Sequence, residues 1–186
     1  MYAMLFLLPL YLQTVQAASA SAVGLQLLPL SLAFFLVSLK SGALAARFGA
    51  RLVMTSGLAF MGLGFLILSM LWRGIDIVLI EFAFLVIGIG LGLNTGPLLS
   101  VALVAAPKLN AGAAAGVINT ARMVGATLGV AVLGGFFAAH AGQDPIDVQR
   151  IAEGSQPALL AGAASEFFGA LLAWRFIPAG ALRSLA

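Results

Sequence analysis

Three ionisable side chains lie within apolar stretches of this sequence that are long enough to cross a bilayer: Arg122, Glu166 and Glu81. A charged group in hydrocarbon costs about 2.5–3.5 kcal/mol on insertion scales, so such residues mark ligand sites or ion paths. Arg122 and Glu166 fall at similar depths, which predicts that Arg122 pairs with Glu166 or with an acid outside this chain. The alternatives are that the Arg122 side chain snorkels to the membrane interface, or that Arg122 lies nearer the membrane surface than the apolar stretch suggests. Glu81 is predicted to be an interfacial, solvated carboxylate.

Uncharged polar residues in the same stretches are further candidates for a central cavity. With the ionisable residues Arg122 and Glu166, the residues predicted to line the cavity are Gln13, Gln26, Asn94, Asn119, Arg122 and Glu166. Hydrogen bonds from such groups orient a ligand among apolar walls. The candidate wall residues are Phe34, Phe35, Phe82, Phe84 and Met123, with packing against lipid as the alternative for each. The pattern predicts a small amphipathic substrate.

Other kinds of chemistry find little support in the residues. The chain has no cysteine and a single histidine, His140, which excludes a cysteine-based or multi-histidine metal site. No nucleophile triad, phosphate-binding loop or zinc motif is present, so we predict no enzyme activity, no metal and no cofactor. The nine basic residues are scattered and form no patch for nucleic acid.

Composition places these residues in a membrane. The chain is 62% hydrophobic and 8% charged, with a mean hydropathy of +1.14. A soluble domain carries about 25% charged residues because water must wet its surface. A spanning helix needs about 20 apolar residues. We therefore predict an all-α membrane protein, a single bundle over residues 1–186 with six spans at about 1–15, 23–39, 52–71, 77–105, 113–139 and 158–177.

The charges between the predicted spans indicate the orientation of the bundle. Basic residues without acids collect on one side, at Lys40, Arg47, Arg51, Lys108, Arg175 and Arg183. The other side carries mixed charges, at Arg73, Asp76, Asp144, Asp147, Arg150 and Glu153. Since basic loops stay on the cytoplasmic side, both ends of the six-span unit are predicted to face the cytoplasm.

Glycines at four-residue spacing predict close contacts between helices. They are Gly88, Gly92 and Gly96 in the fourth span, and Gly112, Gly116, Gly125 and Gly129 in the fifth. Small residues at this spacing let two backbones approach each other within a membrane. In the fourth span, Asn94 and Pro97 leave open a second interpretation, a point at which the helix bends during transport.

The segment 42–51 reads GALAARFGAR and resembles the cytoplasmic signature loop of the major facilitator superfamily, Gly-x-Leu-x-Asp-Arg-x-Gly-Arg-Arg. The matching residues are Gly42, Leu44, Arg47, Gly49 and Arg51, whereas Ala46 replaces the aspartate. Basic residues here can dock on helix C-termini, whose partial charge is negative, and so hold the cytoplasmic side closed. The alternative is that they only set the topology.

Two further stretches resemble the fourteen-span drug:proton antiporters of this superfamily, residues 9–29 and 112–134. The resemblance implies the C-terminal half of a multidrug exporter in a bacterial inner membrane, with the proton as coupling ion. Its implied partners are the lipid bilayer, an amphipathic substrate and an absent N-terminal half of six to eight spans, or a second copy of this chain. The alternative is a six-span scaffold or a self-assembling half-transporter that begins at Met1.

Overall fold

A computed structural model describes residues 9, 13, 19–70, 77–105, 111–141 and 148–178. All regular structure in these residues is helical, and the elements are α1 (Ala20–Gln26), α2 (Leu28–Phe48), α3 (Ala50–Leu68), α4 (Ile77–Ala105), α5 (Ala111–Ala141) and α6 (Val148–Phe176). Five segments among them are long and apolar enough to span a membrane: Ala20–Phe48, Ala50–Leu68, Ile77–Ala102, Gly112–Val132 and Gln156–Phe176. The prediction of an all-α membrane protein is confirmed.

The helices differ in extent from the predicted spans. The predicted first span lies outside the described residues except for residues 9 and 13. The second, predicted over 23–39, reaches from Ala20 to Phe48 with a turn at Leu27, and α6 begins ten residues before the predicted start of the sixth span. These extensions include polar residues. A helix can continue beyond the hydrocarbon region until a residue that breaks it ends its backbone hydrogen bonding.

The predicted signature loop is a helical corner rather than a loop. Gly42, Leu44 and Arg47 lie in α2, Arg51 lies in the first turn of α3, and only Gly49 separates the two helices. Gly49 has φ 92° and ψ 140°, a combination that side chains disfavour, so the chain reverses at one residue. The Ala- and Leu-rich sequence before it favours helix, which explains why α2 continues to Phe48.

Exchange of Gly49 for alanine is expected to destabilise the bundle by about 1–3 kcal/mol, the strain of a side chain at this positive φ. Gly42→Ala is the matched control, because Gly42 is helical and a Cβ there would meet nothing within 4 Å. Thermal unfolding of the purified chain in detergent measures both variants. Equal melting temperatures for the two would contradict the strained corner.

Helix α4 is the centre of the bundle. It makes the most extensive contacts, on one side with α2 and on the other with α3, whereas α2 and α3 touch each other far less. Helix α6 packs on α3, and α5 packs mainly on α6. The order across the bundle is therefore α2, α4, α3, α6, α5.

Close approach of α4 to its neighbours depends on glycine. On the α2 side, a Cβ at Gly88 would meet the carbonyl oxygen of Leu30, and one at Gly92 would lie 2.8 Å from Cβ of Val37. At Gly96 it would meet Ser41, whose hydroxyl accepts a hydrogen bond from the Gly96 N–H at 3.1 Å. 

On the α3 side, Gly57 and Gly90 face each other. A Cβ at Gly57 would lie 2.8 Å from the Gly90 carbonyl oxygen, and a Cβ at Gly90 would meet the Gly57 carbonyl oxygen. Within a membrane such backbone contact replaces lost lipid contacts by dispersion.

The glycines of α5 are different, because among the described residues no helix contact forms at Gly116, Gly125 or Gly129. A Cβ at Gly116, Gly125 or Gly129 would meet nothing within 4 Å, and Gly112 is exposed. In the described part of the chain, α5 meets α6 and α4 through other positions, and none of the span Gly112–Val132 apart from Ala114 is buried. These glycines therefore form an open stripe rather than a packing face in this structure.

The tightly packed core occupies one half of the bundle. We call the end that carries Lys40, Arg47, Arg51 and Arg175 the basic end. The buried cluster lies toward the opposite end and comprises Val23, Leu30, Phe65, Leu68, Ile80, Ala83, Phe84, Ile87, Leu159 and Ala163. Several hydroxyl groups along the helices bond back to carbonyl oxygens one turn earlier, as at Ser56 and Thr95, which satisfies them without water.

Candidate substrate cavity

A cavity of about 490 Å³ lies between α2, α3, α4 and α5, on the basic-end side of the core. Its walls are formed by Phe34, Met54, Leu58, Met61, Leu91 and Leu98. Its polar lining consists of Asn94, Thr95 and Arg122. An apolar cavity of a few hundred Å³ with a few fixed polar groups is the usual form of a small-molecule site.

Local packing holds the polar groups of α4 in place. The Asn94 side-chain amide donates a hydrogen bond to the Gly90 carbonyl oxygen at 3.0 Å and packs against Gly57. The Thr95 hydroxyl donates to the Leu91 carbonyl oxygen at 2.9 Å and retains acceptor capacity. Because small residues on both helices bring α3 and α4 together here, Asn94 is fixed at the helix contact rather than free to rotate.

Arg122 brings the charge of the cavity from α5. The Arg122 residue is exposed, and it forms part of the cavity lining. Asn119 lies three residues earlier on the same face of α5, exposed but outside the lining. Of the six predicted cavity residues, the structure therefore brings Asn94 and Arg122 together in one cavity.

Glu166 lies on α6 at the depth of Arg122. Each is ten residues from the basic-end limit of its span, Phe176 for Glu166 and Gly112 for Arg122, or about 15 Å at 1.5 Å per residue. Helices α5 and α6 pack on each other, and Glu166 is half-buried. An ion pair between Arg122 and Glu166 requires that the two residues lie at the same depth, and they do.

The remaining predicted cavity residues lie elsewhere. Gln26 is 8% exposed at the end of α1, and its Oε1 has no hydrogen-bond partner in the described part of the protein. Gln13 is exposed. Among the predicted wall residues, Phe34 lines the cavity, Phe84 is fully buried in the core, and Phe35, Phe82 and Met123 are exposed on the surface. 

Sequence reasoning missed the wall contributed by α3. Met54, Leu58 and Met61 follow a spacing of four and three residues, which places them on one face of the helix. Methionine is unbranched and adapts to ligands of different shapes. Two methionines on the same face of one helix were therefore an available sequence signal for a wall of the cavity.

Three arginines at the basic end stack on aromatic rings. The guanidinium carbon of Arg51 lies 4.1 Å from the centre of the Trp174 ring, joining the start of α3 to the end of α6. Arg47 lies 5.2 Å from the ring of Phe48, and Arg175 lies 5.8 Å from that of Phe176. The Nε of Arg51 is buried without a hydrogen-bond partner in the described residues, so the ring supplies its principal contact.

Coupling between Arg51 and Trp174 is expected to be about 1 kcal/mol, the value for a partly desolvated cation–π pair. The double-mutant cycle combines Arg51→Gln with Trp174→Leu and measures unfolding of the purified chain. Arg51→Lys keeps the charge, so it should preserve topology and lose part of this coupling. Additive effects of the two substitutions would mean that Arg51 serves topology alone.

Comparison with known proteins agrees with this architecture. The profile of the Major Facilitator Superfamily matches residues 1–130. The chain is 38% identical over 139 residues to the multidrug resistance protein Stp of Mycobacterium tuberculosis, covering 74% of this chain and 26% of that protein. It is 30% identical over 135 residues to the multidrug efflux pump LfrA of Mycolicibacterium smegmatis, covering 73% and 27%. No solved structure matches the chain.

These matches define a class of membrane transporters, not enzymes. The chain belongs to the major facilitator superfamily. It spans about a quarter of the length of the curated relatives it matches, 26% of one and 27% of another.

Proposed function

We propose that this chain is the C-terminal half of a proton-coupled exporter of amphipathic drugs or toxic compounds that works by alternating access. The observation that carries the proposal is the cavity in which Asn94 and Arg122 meet methionine, leucine and phenylalanine walls. Such a lining suits a molecule that is mostly apolar and carries a few polar groups. Relatives named for multidrug efflux and resistance support the substrate class.

The uncovered helix α5 supports the half-transporter role. Its span presents Asn119 and Arg122 on one exposed face, and polar residues are costly toward lipid. A second bundle against this face would enclose them, with the substrate site between two bundles as in other repeat-built transporters. The share of the relatives that the chain covers agrees with a longer complete protein. We place that protein in a bacterial inner membrane.

An efflux assay in bacteria that lack their own pumps tests the proposal. A fluorescent lipophilic cation is loaded, and export is compared between this chain alone and the chain expressed with the coding sequence upstream of it. Export by the longer protein only, abolished by a protonophore, is the expected result.

The other outcomes separate the alternatives. Export by the short chain alone would indicate a self-assembling transporter, in which a second copy covers α5. Export that continues after a protonophore has collapsed the gradient would overturn proton coupling. If neither protein exports any of several amphipathic dyes, the drug assignment is wrong.

A further inference from the structure

We infer that the outer face of α1 and α2 binds an anionic phospholipid, with its headgroup at Lys40 and Arg47 and an acyl chain in the groove between α2 and α4. This inference does not rest on drug export. It rests on the shape of that groove and on the charges at its basic end.

The groove has a volume of about 560 Å³ and an almost wholly apolar lining. Leu25, Leu28, Leu32 and Leu36 form one wall, and Leu85 and Ile89 of α4 form the other. The four leucines are 53–65% exposed, so the groove is open along its length. Beside the groove, α4 approaches α2 closely at Gly88 and Gly92.

Two basic residues, Lys40 and Arg47, lie on the same face of α2 as the leucines of the groove. Leu32, Leu36, Lys40, Ala43 and Arg47 follow each other at intervals of three or four residues, so they lie along one face of the helix. Both basic residues are exposed, and no acid occurs in α2. The face is therefore apolar over the groove and cationic beyond it.

The part of the groove nearest the basic end, at Leu36 and Leu32, fits within one leaflet, whereas Leu28 and Leu25 lie deeper than the bilayer midplane. Lys40 is 20 residues from Ala20, about 30 Å of helix, which is the thickness of bilayer hydrocarbon. Leu32 lies eight residues from Lys40, about 12 Å, within the roughly 15 Å that one leaflet provides. Arg47 is seven residues, or about 10 Å, beyond Lys40, so the two side chains can converge on a phosphate between them.

Charge complementarity selects the occupant. A zwitterionic lipid such as phosphatidylcholine would fill the groove equally well, but the choline cation beside its phosphate offsets that charge, so it would gain less from the two cations than an anionic lipid. A basic residue near an anionic membrane surface contributes about 1 kcal/mol, which corresponds to about fivefold in affinity. The orientation predicted from the loops places these cations on the cytoplasmic side, so the lipid belongs to that leaflet.

Native mass spectrometry of the purified chain tests the inference. The chain is titrated in neutral detergent with dioleoyl phosphatidylglycerol or with dioleoyl phosphatidylcholine, which share acyl chains. We expect at least fivefold tighter binding of phosphatidylglycerol. Lys40→Gln and Arg47→Gln should each weaken that binding about fivefold.

Two matched controls separate the site from general effects. Arg175→Gln removes one charge from the same end of the bundle and should leave binding unchanged. Leu32→Gln should weaken binding of both lipids, whereas Leu128→Gln on α5 should not, although both leucines are 59% exposed. A folded Lys40→Arg variant, which keeps the charge, should bind as the unmodified chain does.

Three results would overturn the inference: equal affinity for the two lipids, an equal loss in Arg175→Gln, or equal effects of Leu32→Gln and Leu128→Gln. A fourth comes from the longer protein. If it excludes phosphatidylglycerol that this chain alone binds, the groove is covered by protein rather than by lipid.

Discussion

Replacement of Gly90 by leucine is expected to separate α3 from α4 and to lower the free energy of unfolding by more than about 3 kcal/mol, the upper end of the usual cost of overpacking. At this position even a Cβ would meet the Gly57 carbonyl oxygen and would lie 2.9 Å from the Met61 backbone nitrogen. Both neighbours are backbone atoms, so no side-chain rotation can relieve the contact. The two helices would have to move apart.

Gly125→Leu is the matched control for this substitution. A Cβ at Gly125 meets nothing within 4 Å, so leucine there keeps its higher helix propensity over glycine, somewhat less than the roughly 0.8–1 kcal/mol that separates alanine from glycine. Both variants are measured in the isolated chain by thermal unfolding in detergent and by the fraction that elutes as a single species. If Gly90→Leu is as stable as Gly125→Leu, the close α3–α4 contact is wrong.

Loss of Arg122 is expected to reduce export by the longer protein about 10- to 100-fold. A hydrogen bond to a charged group contributes about 1.5–3 kcal/mol, and Arg122 is the charged residue that lines the cavity among the described residues. Arg122→Gln removes the charge and keeps a polar group, and Arg122→Lys should retain part of the activity. Arg175→Gln makes the same change at the basic end, outside the cavity lining, and should retain export.

The same substitution tests the predicted pair with Glu166. If the two side chains interact, Arg122→Gln and Glu166→Gln should each destabilise the chain, and the double variant should be less destabilised than the sum. Arg122→Ala that changes neither stability nor export would remove both the pair and the cavity role. Additive single effects would leave Arg122 in the cavity but give it a different partner.

Hydropathy was sufficient to predict the helical membrane class, because desolvation of the backbone allows few structures within a bilayer. It could not predict the corner at Gly49. The signature resemblance indicates a loop, whereas the helix-favouring residues before Gly49 extend α2 until one positive φ reverses the chain.

The glycine pattern predicts where close contact is possible but not where it occurs. Gly92 and Gly125 stand in similar four-residue spacings, yet only Gly92 has a helix against it. The difference depends on which helices meet, and that is decided by the packing of whole faces. For the same reason Asn94 could be proposed as a cavity residue from polarity alone, while Met54 and Met61, although they share one face of α3, cannot be assigned to the cavity until α3 is placed beside α4.

The central position of α4 has a consequence for biogenesis. Helices α2 and α3 are adjacent in sequence, but each makes its most extensive contact with α4, which is synthesised after both. The ribosome therefore delivers two helices whose faces toward α4 have no partner until residues 77–105 leave the translocon. Assembly of this bundle therefore requires the insertion of α4. Nascent chains that end before α4 should remain bound to insertion factors, and chains that include it should be released.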